Sequence, residues 1–250
     1  MIKKHIPNTI TLLNLLSGIL AIITLYSSES LIVPSILILV GAIFDFFDGM
    51  VARLLKVSSN IGKELDSLAD VVTFGVAPSL ITVETIRYSI QFSPLSEFSF
   101  LIYIPLLMAL MSAYRLAKFN IDERQSDRFI GVPTPANALI WLTIPVTFYL
   151  EGQNICLWGI NNGELYSFLS RVFINPINII FGSVLMSFLL VSELPLIALK
   201  FKNFKWKDNK ERFIFIIISL LLIFAFNFYA IPFVIIFYII ISLIFNTLKK

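Results

Sequence analysis

Between residues 45 and 70, in DFFDGMVARLLKVSSNIGKELDSLAD, four aspartates lie in or beside strongly apolar segments. An aspartate at the centre of a membrane span costs roughly 2.5–3.5 kcal/mol, so these side chains must face protein, water or a cation rather than lipid. That requirement dictates how the segments pack. At about 100° per residue, Asp45, Asp48, Gly49, Ala52 and Arg53 fall within roughly 140° of one another on one helix. Gly62, Asp66 and Asp70 form a narrow line on the next. Two helices therefore present four carboxylates to one pocket. Anions this crowded need neutralising cations, and hard oxygen ligands suit Mg²⁺ or Mn²⁺. Glycine inside a helix is unfavourable by about 0.5–1 kcal/mol relative to alanine; Gly49, Ala52 and Gly62 clear space on the carboxylate face for a close approach. A packed small-residue helix interface would explain the glycines but not the four carboxylates.

The rest of the chain agrees with a membrane setting. Its 250 residues are 58% hydrophobic and 14% charged, with a mean hydropathy of +0.88, too little polar surface for a soluble domain. The sequence predicts an all-α, polytopic bundle forming a single membrane domain over residues 1–250. The first apolar run follows Lys3 and Lys4 and reads as a retained span rather than a signal peptide. Further spans are expected at about 31–57, 63–86, 98–119, 133–150 and 172–199, with polar loops at 120–131 and 151–171. The apolar stretch 213–247 is too long for one crossing and is expected to divide near Asn227 and Pro232. That makes eight helices. With both termini cytosolic, all 19 Lys and Arg except Arg87 and Arg171 lie on the cytosolic side, a strong positive-inside bias. The basic segment 200–212 reads as a cytosolic hairpin against anionic lipid, and the 24 Phe as lipid-facing bulk. Arg53 lies near the cytosolic boundary, which places Asp45 about 12 Å deeper along the helix axis. The single cysteine, Cys156, permits no intrachain disulfide. No nucleic-acid partner is expected.

The pattern Asp45-x-x-Asp48-Gly49-x-x-Ala52-Arg53, eight residues, then Gly62-x-x-x-Asp66-x-x-x-Asp70 resembles the complete signature of the CDP-alcohol phosphotransferases, with every specified position filled. The resemblance implies two divalent cations, Mg²⁺ or Mn²⁺, held by Asp45, Asp48 and Asp66. It implies Asp70 as general base, available also as a ligand. Gly49, Ala52, Arg53 and Gly62 would border the CDP-linked lipid, with Arg53 on a phosphate. Residues 6–14, IPNTITLLN, resemble the helix that closes the nucleotide pocket in serine-using members, which adds Asn8 and Thr11, with Asn14 beside them. Homodimers and a cytosol-facing site in the cell membrane are further implications.

Three stretches bear on the acceptor. DVVTFGVAPS (70–79), YRLAKFN (114–120) and FIGVPTPANA (129–138) are similar to the serine-using branch, except that Lys118 stands where arginine is expected. The implied reaction moves the phosphatidyl group of CDP-diacylglycerol to the hydroxyl of L-serine and releases CMP. A serine carboxylate needs a cation, and Arg115 or Lys118 is the candidate. Another acceptor, such as glycerol 3-phosphate, is the alternative within the family. A divalent-cation transporter would also place carboxylates in a membrane bundle, but an arginine beside them would oppose cation passage.

Overall fold

The computed structural model describes residues 5–28, 30–91, 93–121, 129–153, 163–197, 206 and 209–248. Helix α1 (His5–Ser27) runs antiparallel to α2 (Ile32–Leu55). Helix α3 (Asn60–Asp70) passes through a π-helical segment, Val71–Val76, into α4 (Ala77–Ile90). A 3₁₀ turn at Ser99–Tyr103 leads into α5 (Leu106–Ile121). Then follow α6 (Thr134–Gly152), α7 (Gly163–Ile174), α8 (Pro176–Val191), α9 (Lys210–Phe226) and α10 (Ala230–Leu248). Extended structure among the described residues is a two-residue antiparallel pair, β1 (Phe129–Ile130) with β2 (Pro195–Leu196). The all-helical membrane bundle expected from the sequence is what the chain forms.

Burial identifies the centre of the bundle. The continuous helical run Asn60–Ile90 is 72% buried along its most apolar window, against 22–33% for the other long apolar helices. Around it, Ala21 and Leu25 of α1, Ile38 of α2, Phe74, Ala77 and Ile81 of the central run, and Ala138 and Leu142 of α6 form one core cluster. Outward, Phe46, Phe181, Phe188 and Phe224 are each 63–69% exposed. Large apolar surface of this kind is stable only against lipid. Three hydroxyls in the core are satisfied locally: those of Ser79, Thr82 and Thr85 donate to carbonyls one turn back at 2.7–2.8 Å.

Two local devices bring α2 and α3 face to face. Lys56 ends α2 in the left-handed conformation (φ 52°), and the Val57 N–H returns to the Ala52 carbonyl at 3.0 Å, a helix stop of the αL type. Ser59 then caps α3, its hydroxyl accepting from the Gly62 N–H at 3.0 Å. The chain reverses within a few residues, so the acids of both helices share one space.

Among the described residues, five helical runs are long and apolar enough to cross a membrane: His5–Ser27, Ile32–Leu55, Asn60–Ile90, Ser99–Ile121 and Lys210–Phe245. The pair α7–α8, bent by 64°, makes a sixth if taken as one span. The last run folds back on itself, since the rings of Phe215 and Phe237 stack at 6.2 Å; a straight helix would hold them roughly 33 Å apart. The break is a 3₁₀ turn at Asn227–Tyr229, where the sequence placed it, although Pro232 sits inside α10 rather than in the turn.

Other boundaries differ from expectation. The loop read at 151–171 contains the start of α7 at Gly163, and the span read as continuous over 172–199 is broken at Asn175 and ends at Val191. Pro176 causes the break, because the residue before a proline is pushed out of the helical region. Asn175 accordingly has ψ 120°, and its side chain caps α8 through the Ile177 N–H. Of the basic segment, Lys210–Arg212 begin α9. Cys156, Lys3, Lys4, Arg124, Arg128 and Lys200–Lys205 lie outside the described residues.

Gly18 marks where α1 touches the central run: an added Cβ would sit 2.9 Å from the Thr73 Cα, whereas at Gly152 it would meet nothing within 4 Å. Gly18→Ala is therefore expected to lower the thermal midpoint in detergent by several degrees, the effect of overpacking by about 1–3 kcal/mol. Gly152→Ala should leave it unchanged. Differential scanning fluorimetry of the two variants checks this.

Candidate active site

Helix α2 contributes Asp45 and Asp48, and α3 contributes Asp66 and Asp70. One carboxylate oxygen from each of Asp45, Asp48 and Asp66 lies within 4.8 Å of the others. Asp48 and Asp70 are buried, at 7% and 8% exposure. Helix α1 closes the third side. Thr11 Oγ1 donates to Asp48 Oδ2 at 2.6 Å, and Asn14 Nδ2 donates to Asp70 Oδ1 at 3.3 Å. Asp70 stands outside the trio, one turn beyond Asp66 on the same helix.

The electrostatics suit a cation. At 4.8 Å two ionised carboxylates repel by on the order of 3 kcal/mol at an effective dielectric of about 20, and the trio contains three such pairs. The two ion pairs found among the described residues, Arg87–Glu84 and Lys118–Glu193, leave these aspartates aside. Oxygen ligands from several carboxylates, plus a neighbouring hydroxyl that orients one of them, fit a hard divalent ion such as Mg²⁺ or Mn²⁺. Arg115, 8% exposed, lies within electrostatic reach of Asp70.

A cleft of about 210 Å³ opens from this cluster between α1, α2 and α3. Asn8, Thr11, Asp48, Gly49, Ala52, Gly62 and Asp66 all line it, so the residues expected from the signature and from the first helix converge on one space. At Gly49 an added Cβ would meet nothing within 4 Å, which means the glycine keeps cleft volume open. At Gly62 it would press to 3.0 Å against Asn8 Oδ1 and Ser59 Oγ, which means the glycine lets α3 approach α1. Arg53 stands apart, exposed on the last turn of α2 and not among the cleft walls. Lys118 turns to the surface, where it pairs with Glu193 at 3.2 Å.

Sequence reasoning missed Pro7, Val57, Ser58, Ser59 and Lys63 as cleft walls. It counted Lys63 only among the cytosolic basic residues. The S-S-N-x-G run at 58–62 carried the one available signal, a capping serine at the start of a helix. Asn120 was also missed: it accepts from Lys63 Nζ through its carbonyl at 2.7 Å and donates to Glu64 and Ser67 at 3.2 and 3.0 Å. These bonds tie the end of α5 to α3.

A family profile described as CDP-alcohol phosphatidyltransferase matches residues 4–247. The chain belongs to that family. As a CDP-alcohol phosphatidyltransferase it is a phosphotransferase, and its two acid-bearing helices are the elements that the family signature spans. Among its relatives, a Bacillus subtilis protein named CDP-diacylglycerol–serine O-phosphatidyltransferase is 32% identical over 204 residues, 81% of this chain and 92% of the relative. A Helicobacter pylori protein of the same name is 34% identical over 221 residues, covering 88% and 81%. One from Methanocaldococcus jannaschii is 42% identical over 135 residues, covering 54% and 57%.

If the trio holds a divalent cation, removing one carboxylate must weaken its binding. Asp48→Asn is expected to lower Mn²⁺ affinity at least about tenfold without loss of folded protein. Free Mn²⁺ measured by electron paramagnetic resonance during titration of the purified protein checks it.

Proposed function

We propose that this phosphatidyltransferase moves the phosphatidyl group of CDP-diacylglycerol to the hydroxyl of L-serine and releases CMP. The observation that carries the reading is the division of the acid cluster: three carboxylates meet, two of them on the cleft wall, and the fourth, Asp70, follows one turn beyond Asp66 with a buried arginine in reach. The names of the relatives support serine as the acceptor.

In this reading Asp45, Asp48 and Asp66 would hold two divalent cations, Mg²⁺ or Mn²⁺, which when bound would neutralise charge on the pyrophosphate and on the leaving CMP. Asn8, Thr11, Gly49, Ala52 and Gly62 border the nucleotide, and Arg53, exposed outside the cleft walls, reaches a phosphate from the surface. Asp70 accepts the hydroxyl proton of serine. The serine oxygen forms a bond to the phosphorus that carries the lipid, and the bond from that phosphorus to the CMP oxygen breaks. Arg115 binds the serine carboxylate, its buried guanidinium being within reach of the base and still short of a partner at Nε. A buried cation at this position also argues against passage of divalent ions through the site.

Orientation completes the picture. The cleft and both termini face the cytosol by the positive-inside bias, so a lipid diphosphate in the membrane meets a water-soluble acceptor near head-group level. In this reading the chain crosses eight times, through α1, α2, the run α3–α4, α5 with its 3₁₀ turn, α6, the bent pair α7–α8, α9 and α10. The assembly is a homodimer in the cell membrane.

The test is CMP release by the purified protein in detergent with CDP-diacylglycerol and Mn²⁺. Release is expected with L-serine and not with glycerol 3-phosphate, and Asp70→Asn should abolish it. Arg115→Ala should raise the KM for serine about 10- to 100-fold, as loss of a charged hydrogen bond implies, while the KM for CDP-diacylglycerol stays within about twofold. Release with glycerol 3-phosphate alone would overturn the assignment of the acceptor.

A further inference from the structure

Asn14 of α1 is wholly buried, and it makes two bonds to the central helical run. Its Nδ2 donates to Asp70 Oδ1 at 3.3 Å, and its backbone carbonyl accepts from Thr73 Oγ1 at 3.0 Å. Thr73, also wholly buried, lies three residues beyond Asp70 inside the π-helical segment Val71–Val76. Segments of this kind are uncommon and concentrate at functional sites. Two glycines make room for Thr73: an added Cβ would stand 2.5 Å from its Oγ1 at Gly18 of α1, and 2.6 Å from its Cγ2 at Gly41 of α2. Thr73 is thus wedged between two helices, and the segment that follows Asp70 is fixed against α1.

The far end of the Asn14 amide supplies a separate observation. Asn14 Oδ1 is buried with no hydrogen-bond partner, walled in by Gly41, whose Cβ position lies 3.1 Å away. A buried acceptor left unpaired is rare and calls for a reason. The reason here is that the amide is turned so that its donor, not its acceptor, meets the carboxylate. The one amide in this part of α1 is oriented for Asp70 at the expense of its own second bond.

We propose that Asn14 is the positioning residue for Asp70, with Thr73 as its anchor. By holding Oδ1, Asn14 fixes the plane of the carboxylate and leaves Oδ2 to receive the acceptor's proton. This rests on the reading of Asp70 as general base. A misplacement of about 1 Å at a reacting group can reduce turnover about 100-fold, so the effect belongs in kcat. Nothing in the arrangement touches the cleft that takes the nucleotide.

The experiment compares Asn14→Leu, which keeps the bulk and removes the donor, with the exchange Asn14→Asp/Asp70→Asn, which restores a carboxylate–amide pair in reverse. Asn14→Leu is expected to lower kcat for CMP release about 10- to 100-fold, while the KM for CDP-diacylglycerol and the Mn²⁺ affinity stay within about twofold. The exchange should recover the thermal midpoint and yet stay as inactive as Asp70→Asn, because the carboxylate then stands on the wrong helix. Unchanged kcat in Asn14→Leu, or recovered activity in the exchange, would overturn the proposal and leave Asn14 as packing. If Asn14→Leu does not fold, Asn14→Ser carries the same test. Failure of the unsubstituted protein to release CMP with any acceptor would instead remove the reading of Asp70 on which this stands.

Discussion

Everything in this bundle is arranged around the mutual repulsion of carboxylates held where water is scarce. Three oxygens within 4.8 Å and a fourth acid one helical turn beyond Asp66 cannot be kept together by helix packing alone, and each is expensive to expose to lipid. The chain meets the difficulty in two ways. It donates hydrogen bonds from α1, through Thr11 and Asn14, and it leaves an oxygen-lined space suited to divalent cations. The same crowding that opposes folding without a cation would favour binding one.

The framework follows from that demand. The run Asn60–Ile90 carries two of the acids and is the most buried long helix, so the base of the site is fixed to the centre of the molecule rather than to a loop. Helix α1 adds little charge of its own but packs closely enough, through Gly18 against Thr73, to place hydroxyl and amide groups against the acids. The left-handed Lys56 and the capping Ser59 turn α2 into α3 within a few residues. Farther out, the hairpin α9–α10 and the bent pair α7–α8 enlarge the apolar surface without entering the cleft.

Much of the site was legible because helical periodicity alone aligns Asp45 with Asp48, and Gly62 with Asp66 and Asp70. The break near Asn227 was legible too, from length. What escaped detection depends on departures from a regular helix or on contacts distant in sequence. The bend at Asn175 required weighing Pro176 against an apolar run that looked continuous, and α7 was hidden by the polar residues of its first turn. The π-helical segment interrupts the 3.6-residue period directly after Asp70, so the place of Thr73 against α1 could not be read from spacing. Ser58 and Ser59 were passed over as linker, although the turn makes them cleft wall. Arg53, in line with the acids on a helical wheel, emerges at the surface because it lies on the last turn of α2, which ends at Leu55. Lys118 and Arg115 share one motif, yet only tertiary packing separates a surface ion pair from a buried guanidinium.

The most direct measurement is an experimental structure of the protein with Mn²⁺ and CDP-diacylglycerol, collected so that manganese is located by its anomalous signal. The account predicts manganese between the carboxylates of Asp45, Asp48 and Asp66, the diphosphate in the cleft lined by Asn8, Thr11 and Gly62, and Asp70 facing the lipid-bearing phosphorus. Manganese bound elsewhere, or a diphosphate outside that cleft, would contradict it.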